Sequence, residues 1–187
     1  MPRERFVPRS LAGIAYVDED LDLGNGRHLM EPAVLARMIE ALAPKAHETA
    51  LIVGAGSGYE AAVLGRLVAA VVAVEVDAIV VAQASRLLGE LAVDNVVVEA
   101  GPLTNGCPDH APYEVILLSG AVPEVPPALT AQLASGGRLA AVVSHGDGIM
   151  GRACLFVKSR DTVSRRELFD AGTPLLPGFA PAPAFVF

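Results

Sequence analysis

Short apolar runs alternate along this chain with segments whose apolar residues repeat at helical spacing, and each kind of pattern predicts its own element. Val34, Leu35, Met38, Ile39 and Leu42 share one helical face, which predicts a helix from Pro32 to about Leu42, ending near Pro44. Ala50-Leu51-Ile52-Val53 is too short for a helix and too continuous for a half-exposed strand, so it predicts a central parallel strand. Further strands are expected at 71–75, 96–98, 115–118 and 139–143. Asp77 can cap a helix carrying Val80, Ala84, Leu87, Leu88 and Leu91, and Pro126-Pro127 opens another that ends before Gly136-Gly137. This alternation predicts an α/β fold: one mostly parallel, doubly wound, twisted sheet with helices on both faces. Beyond Gly151, 153–158 and 163–169 read as closing strands around the turn Ser159-Arg160-Asp161. The expected organisation is a single domain over 1–187, with an irregular, loop-rich segment at 1–31 and a Pro- and Ala-rich tail at 172–187 laid against the core.

Composition narrows the setting. Hydrophobic residues make up 52% of the chain and the mean hydropathy is +0.47, which raises the question of a membrane span. The most apolar stretch, 67–74, is bounded by Arg66 and Glu75 and is far short of the roughly 20 residues a spanning helix needs. It reads as a buried strand, and no membrane partner is expected. Met1-Pro2-Arg3-Glu4-Arg5 leads into no secretory signal, so the expected compartment is the cytoplasm. A net charge of −7 with no basic run argues against a nucleic-acid partner. Cys107 and Cys154 form no Cys-x-x-Cys pair, no His/Cys/carboxylate set shows metal-ligand spacing, and no Gly-x-Ser-x-Gly elbow occurs, so neither a metal site nor a hydrolase is expected.

The chemistry concentrates after the first central strand. Gly54-Ala55-Gly56-Ser57-Gly58 follows it directly and opens a helix expected over 59–68; such glycines let the backbone bend and approach a ligand, and amides at a helix start favour an anion. Glycines here can also serve packing alone. The second signal is Glu75, at the end of the next strand and 21 residues after Gly54, close to the roughly 20 expected for a ribose-binding carboxylate. Nicotinamide enzymes place a third glycine where Tyr59 stands, so the closer spacing at Gly58 points instead to an S-adenosylmethionine loop.

Several strings then resemble the protein-L-isoaspartate O-methyltransferase family. They are Arg5-Phe6-Val7-Pro8, Ala15-Tyr16 with the acidic stretch after it, Gly24-Asn25-Gly26, Glu31-Pro32, the glycine loop continued through Tyr59-Glu60-Ala61-Ala62-Val63-Leu64, Ala111-Pro112-Tyr113-Glu114, Pro123-Glu124-Val125-Pro126-Pro127-Ala128-Leu129 and Gly136-Gly137-Arg138-Leu139. The resemblance implies a Rossmann-like methyltransferase using S-adenosylmethionine on a protein or peptide carboxylate, with 1–31 on the substrate side. It also implies that Gly54, Ala55, Gly56, Ser57 and Gly58 hold the methionine portion, Glu75 with Val76 the ribose, and Gly101 with Pro102 the adenine.

Three departures stand out. The family's Thr-Ile-Ser-Gln-Pro-like string, whose serine lies in the active site, is here His28-Leu29-Met30-Glu31-Pro32, with Met30 in the serine position. Its Gly-Asp-Gly-like adenine turn is here Gly101-Pro102-Leu103, without the acid. The family usually has a helix or more before the Phe-Val-Pro string, where this chain begins almost at it, so a truncated or internally started product is one reading. His28, Met30 and Glu31 are therefore the substrate-side candidates, with no catalytic residue assigned. His145 in the Ser144-His145-Gly146-Asp147-Gly148 turn is a weaker one, and Ser119-Gly120 is placed along the cofactor cleft. Two alternatives remain at this point: a catalytically inactive relative that binds cofactor or a partner, and a methyltransferase with another acceptor.

Overall fold

The structure is a computed structural model that describes residues 1–146 and 149–179. In the amino-terminal segment, where only loops were expected, the chain makes two 3-10 turns (Arg3–Arg5 and Arg9–Ile14) and an antiparallel hairpin. Strands β1 (Leu21–Gly24) and β2 (Arg27–Leu29) pair Leu21 with Leu29 and Asp22 with His28. The turn Gly24-Asn25-Gly26 lies entirely in the left-handed region, which fits its glycines and asparagine. A hairpin this short carries too little alternation to announce itself.

Helix α1 (Pro32–Leu42) has the predicted bounds and buries Val34, Leu35, Met38, Ile39 and Leu42. Strands β3 (Thr49–Val53), β4 (Ala70–Glu75), β5 (Val96–Ala100), β6 (Tyr113–Val122) and β7 (Leu133–Val143) form a parallel sheet in the order β5-β4-β3-β6-β7, extended antiparallel by β8 (Gly151–Ser159) and β9 (Thr162–Ala171). Because β3 is flanked by β4 on one side and β6 on the other, Ala50, Leu51, Ile52 and Val53 are all buried, which explains their unbroken apolar run. The same position makes the end of β3 the topological switch point of the sheet, where ligands of open α/β sheets bind.

Alternate side chains divide between two cores. Ala50, Ile52, Ala73 and Leu117 pack with α1, α2 (Tyr59–Leu64) and α3 (Ala78–Glu90). Leu51, Val53, Val74 and Leu118 pack instead with Leu129 of the short α4 (Pro127–Ala131), with Leu103 and Cys107, and with Leu176 and Phe179 of the tail. Helices thus lie on both faces, but unequally. The tail does pack on the sheet, with Leu176 N–H donating to Ala121 O at 2.8 Å, as far as it is described; 180–187 lie outside the described residues.

Two boundaries differ from expectation. Helix α2 is six residues long rather than running to 68, and 67–69 is turn rather than strand, because the chain reverses after Gly65 and is tied back by Ala69 N–H to Glu48 O. The second Pro-initiated helix stops at Ala131, and Gly136-Gly137 lies inside β7. There a Cβ on Gly137 would meet the Ala134 and Tyr113 carbonyls at 2.9 Å, so these glycines mark a strand irregularity rather than a helix end. Among the described residues no helix is long and apolar enough to cross a membrane.

Candidate functional site

At the switch point the chain leaves β3 through Gly54, Gly56 and Gly58, with φ of +89°, +50° and +90°, values that favour glycine at each. Four of the loop amides are engaged within the protein. Gly54 and Ala55 N–H both donate to Val74 O at 2.9 Å, Gly58 N–H donates to Ala55 O at 2.8 Å, and Gly56 N–H donates to Glu75 Oε2 at 2.8 Å. Parallel pairing of β3 with β4 brings Glu75 beside the loop, where its carboxylate is 0% exposed and also accepts from Val76 N–H at 2.8 Å. Gly101 N–H donates to Glu75 O at 2.9 Å, so the turn Gly101-Pro102 joins the same edge. Val76 and Ile79, just beyond the acid, expose apolar side chains. All the residues expected to hold cofactor thus meet at one edge of the sheet.

The hairpin brings a residue that sequence reasoning missed. Arg27 reaches across to Glu75 with Nε 3.1 Å from Oε2, and both side chains are buried. Its Nη2 lies so close to the loop that a Cβ on Gly54 would meet it at 2.8 Å, yet that nitrogen has no hydrogen-bond partner. Leu176 crowds the same position and also covers Gly120, where it would meet a Cβ at 2.8 Å. Only the folding of β1–β2 onto the loop gives Arg27 this role; in sequence it is one more charge after a turn.

Unpaired polar atoms gather here. Among the described residues, the buried side-chain polar atoms without a partner are Arg3 Nη1, Arg27 Nη2, His28 Nδ1, Ser57 Oγ and Glu60 Oε1. Each such atom costs roughly 1–3 kcal/mol if nothing satisfies it, so a cluster of them argues for a polar ligand. Burial pushes the Glu60 carboxyl above its ordinary range, against the opposing pull of its own backbone hydrogen bond, the Arg3 and Arg27 charges and Ser119. Arg3 is also held in place: Nε donates to Ala15 O at 2.6 Å, Nη2 donates to Met30 O at 2.7 Å, and the guanidinium lies 4.9 Å from the Tyr59 ring centroid. A cleft of about 300 Å³ opens beside the loop, lined among others by Phe6, Pro8, Leu23, Arg27, Ser57 and Gln83.

The substrate-side candidates separate. Met30 is 1% exposed and belongs to the core cluster with Phe6 and Val34, so the residue in the serine position is buried and does not line the cleft. Glu31 does not cap α1 through its side chain. Instead Asp20 Oδ1 accepts from Glu31 N–H and Asp18 Oδ1 from Ala33 N–H, each at 2.8 Å. Burial and the neighbouring Asp18 and Asp20 raise the Glu31 carboxyl. His28 alone of the three has an unpaired buried side-chain atom. His145 is exposed near a second cleft with Pro123, Glu124 and Arg152, apart from the glycine loop; Asp147 and Gly148 of its turn lie outside the described residues.

The sequence model of the protein-L-isoaspartate(D-aspartate) O-methyltransferase family matches residues 1–168. A protein-L-isoaspartate O-methyltransferase of Roseiflexus castenholzii is 42% identical over 180 residues, which cover 96% of this chain and 82% of the relative. A solved protein-L-isoaspartate O-methyltransferase superposes with a TM-score of 0.83 at 26% identity, over 96% of this chain and 60% of its own. A Plasmodium falciparum structure, described as a putative enzyme of that name in complex with S-adenosyl-L-homocysteine, shares the fold with a TM-score of 0.73 at 18% identity, over 92% of this chain and 84% of its own.

Proposed function

Because this chain belongs to the protein-L-isoaspartate(D-aspartate) O-methyltransferase family, we propose that it transfers a methyl group from S-adenosylmethionine to the side-chain carboxylate of an isoaspartyl residue in a protein or peptide. The observation that carries the proposal is the convergence of the glycine loop, Glu75, the Gly101-Pro102 turn and the unpaired polar atoms at one sheet edge. When bound, the cofactor supplies a methyl on a sulfonium that a carboxylate oxygen can attack directly: the O–C bond forms as the C–S bond breaks, and the electron pair stays on sulfur. No general base is needed, and the protein's task is alignment and exclusion of water.

The residues fit that cofactor. Gly54, Ala55, Gly56, Ser57 and Gly58 shape the floor on which its methionine end would lie, and Ser57 Oγ is unpaired there. Arg27 Nη2 is a cation donor suited to a carboxylate, and Glu60 Oε1 an acceptor suited to an ammonium group. Glu75 already accepts three hydrogen bonds, so a ribose diol gains room on both oxygens when Arg27 Nε swings from Glu75 toward the carboxylate. Val76 offers apolar contact beside Gly101 and Pro102, where the adenine would lie without an acidic partner. The acceptor peptide would enter from the cleft under Phe6 and Pro8, with His28, whose Nδ1 is buried and unpaired, the polar group offered to replace the family's serine.

Incubation with methyl-labelled S-adenosylmethionine and an isoaspartyl peptide tests the reading: label should pass to the peptide as a base-labile ester and not to the aspartyl control. Cofactor binding without transfer to any isoaspartyl peptide would favour the alternative of a cofactor-binding relative.

A further inference from the structure

The loop between β5 and β6 carries a second cluster, outside the proposed cofactor floor. Glu99 near the end of β5 extends both carboxylate oxygens toward it. The Cys107 thiol donates to Oε2 at 3.3 Å, and His110 Nε2 lies 2.8 Å from Oε1. One donor atom from each of the three residues lies within 4.8 Å of the others. Donors bonded to a tetrahedral zinc ion at about 2.0–2.3 Å stand roughly 3.3–3.8 Å apart, so adjustments of about an ångström would bring these three onto one ion.

From this geometry we propose that Glu99, Cys107 and His110 form a site for a zinc-like divalent cation, with water completing the coordination. The donor set suits that chemistry, since thiolate, imidazole and carboxylate are the ligands zinc takes. The loop is braced for it. Cys107 N–H donates to Gln132 Oε1 at 3.0 Å and Cys107 O accepts from the Tyr113 hydroxyl at 2.7 Å, while Gln132 Nε2 donates to Asn105 O at 2.7 Å and to Ala128 O at 2.8 Å. The Cys107 backbone is therefore fixed on both sides, and the two-residue step through Pro108 and Asp109 returns His110 to the same spot. Binding replaces the Cys107 thiol proton, which leaves to solvent, with a sulfur–metal bond. The charge of Glu99 and the new thiolate is then balanced by the dication. Cys107 is buried while Glu99 and His110 are partly exposed, which leaves a path for the ion and a face for the water ligand. Sequence spacing pointed away from a metal site, because Glu99 lies on the strand before the loop and only the fold returns Cys107 and His110 to it.

Titration of the chelator-stripped chain with zinc against a chromophoric chelator, and with cobalt for its thiolate charge-transfer absorption, tests the site. One equivalent should bind, the cobalt complex should show that absorption, and bound zinc should slow alkylation of Cys107. Loss of a supporting residue around a metal costs 10–100-fold in affinity, so loss of the His110 ligand in His110→Ala should cost at least about 10-fold. His110 is exposed enough for that variant to fold, whereas Cys107→Ser changes a buried position. Absence of the thiolate absorption, or zinc affinity unchanged in His110→Ala, overturns the proposal.

Discussion

Two arginines in buried ion pairs with glutamates, Arg138 partly buried and Arg27 fully so, divide the molecule into a part built for stability and a part built for a ligand. Arg138, between β7 and the end of α1, places all its donors: Nε to Leu42 O at 2.9 Å, Nη1 to Glu48 Oε1 at 2.8 Å and Glu114 O at 3.2 Å, Nη2 to Ala43 O at 2.8 Å and Glu48 Oε2 at 3.0 Å. Arg27, on the hairpin, makes one bond to Glu75 and leaves Nη2 unpaired. The two ion pairs look alike in a sequence and on a list of charges. The first closes the amino-proximal end of the sheet with nothing left over; the second leaves capacity at the end where ligands bind. A saturated network resists change, and an unsaturated one can exchange partners at small cost.

The contrast can be broken most directly through stability. Arg138→Ala removes five hydrogen bonds and strands the buried Glu48, so it should destabilise the chain by about 3–5 kcal/mol. Arg27→Ala removes one and leaves Glu75 the Gly56 and Val76 amides, so it should cost less. Denaturant unfolding of both checks this, and equal losses would end the distinction. Hydrogen bonding from Arg138 holds the Glu48 carboxyl below its ordinary range, ahead of the opposing effect of burial. Its contribution is therefore complete above the unfolded carboxyl pKa of about 4.3 and is lost as pH falls through the lower folded value. Arg138→Ala should flatten that acid limb.

Ligand binding should separate the regions next. S-adenosylhomocysteine at 100 times its dissociation constant should add about 2.7 kcal/mol, a rise of roughly 5–10 °C in Tm for a chain of this size. Glu75→Gln should abolish most of the rise, while a Glu48 variant that still folds should keep it. Differential scanning fluorimetry reads both. A shift unaffected by Glu75→Gln would detach the ribose from this acid.

A finer split lies within the ligand. Arg27→Met should weaken S-adenosylhomocysteine on the order of 10-fold, about 1.4 kcal/mol, and leave adenosine, which lacks the amino-acid end, unchanged or tighter. Calorimetry giving equal losses for both ligands would show that Arg27 does not read the carboxylate.

The smallest effect concerns Glu60. Burial raises its carboxyl, so stability should fall as pH rises from the unfolded value through the higher folded one. Glu60→Gln should remove that slope and raise the Tm of the unliganded chain at neutral pH by roughly 2–4 °C, as about 1 kcal/mol would. A steeper slope in the variant would mean that the arginines already pair with Glu60.

Much of this was legible beforehand. Helix α1 and strands β3 and β4 announced themselves because each buries a continuous apolar face, and Asp77 caps α3 as expected, accepting from Ile79 N–H at 2.8 Å. The glycine loop and Glu75 followed from spacing, since strand, loop, helix and strand are consecutive and the intervening length sets where the acid falls. The short β1–β2 hairpin and the early end of α2 were not legible, because neither has enough residues to show a period.

Local patterning by itself determined the α/β sheet and the acid beside the glycine loop, both products of burial and of contacts near in sequence. Tertiary structure alone decided that Met30 turns into the core, that Arg27 lies on the loop, and that Glu99 meets Cys107 and His110. Those contacts join residues 48 positions apart in one case and 8 and 11 in the others. A polar side chain carries no periodic signal of its partner, and which charges meet is settled only when the segments bearing them have packed.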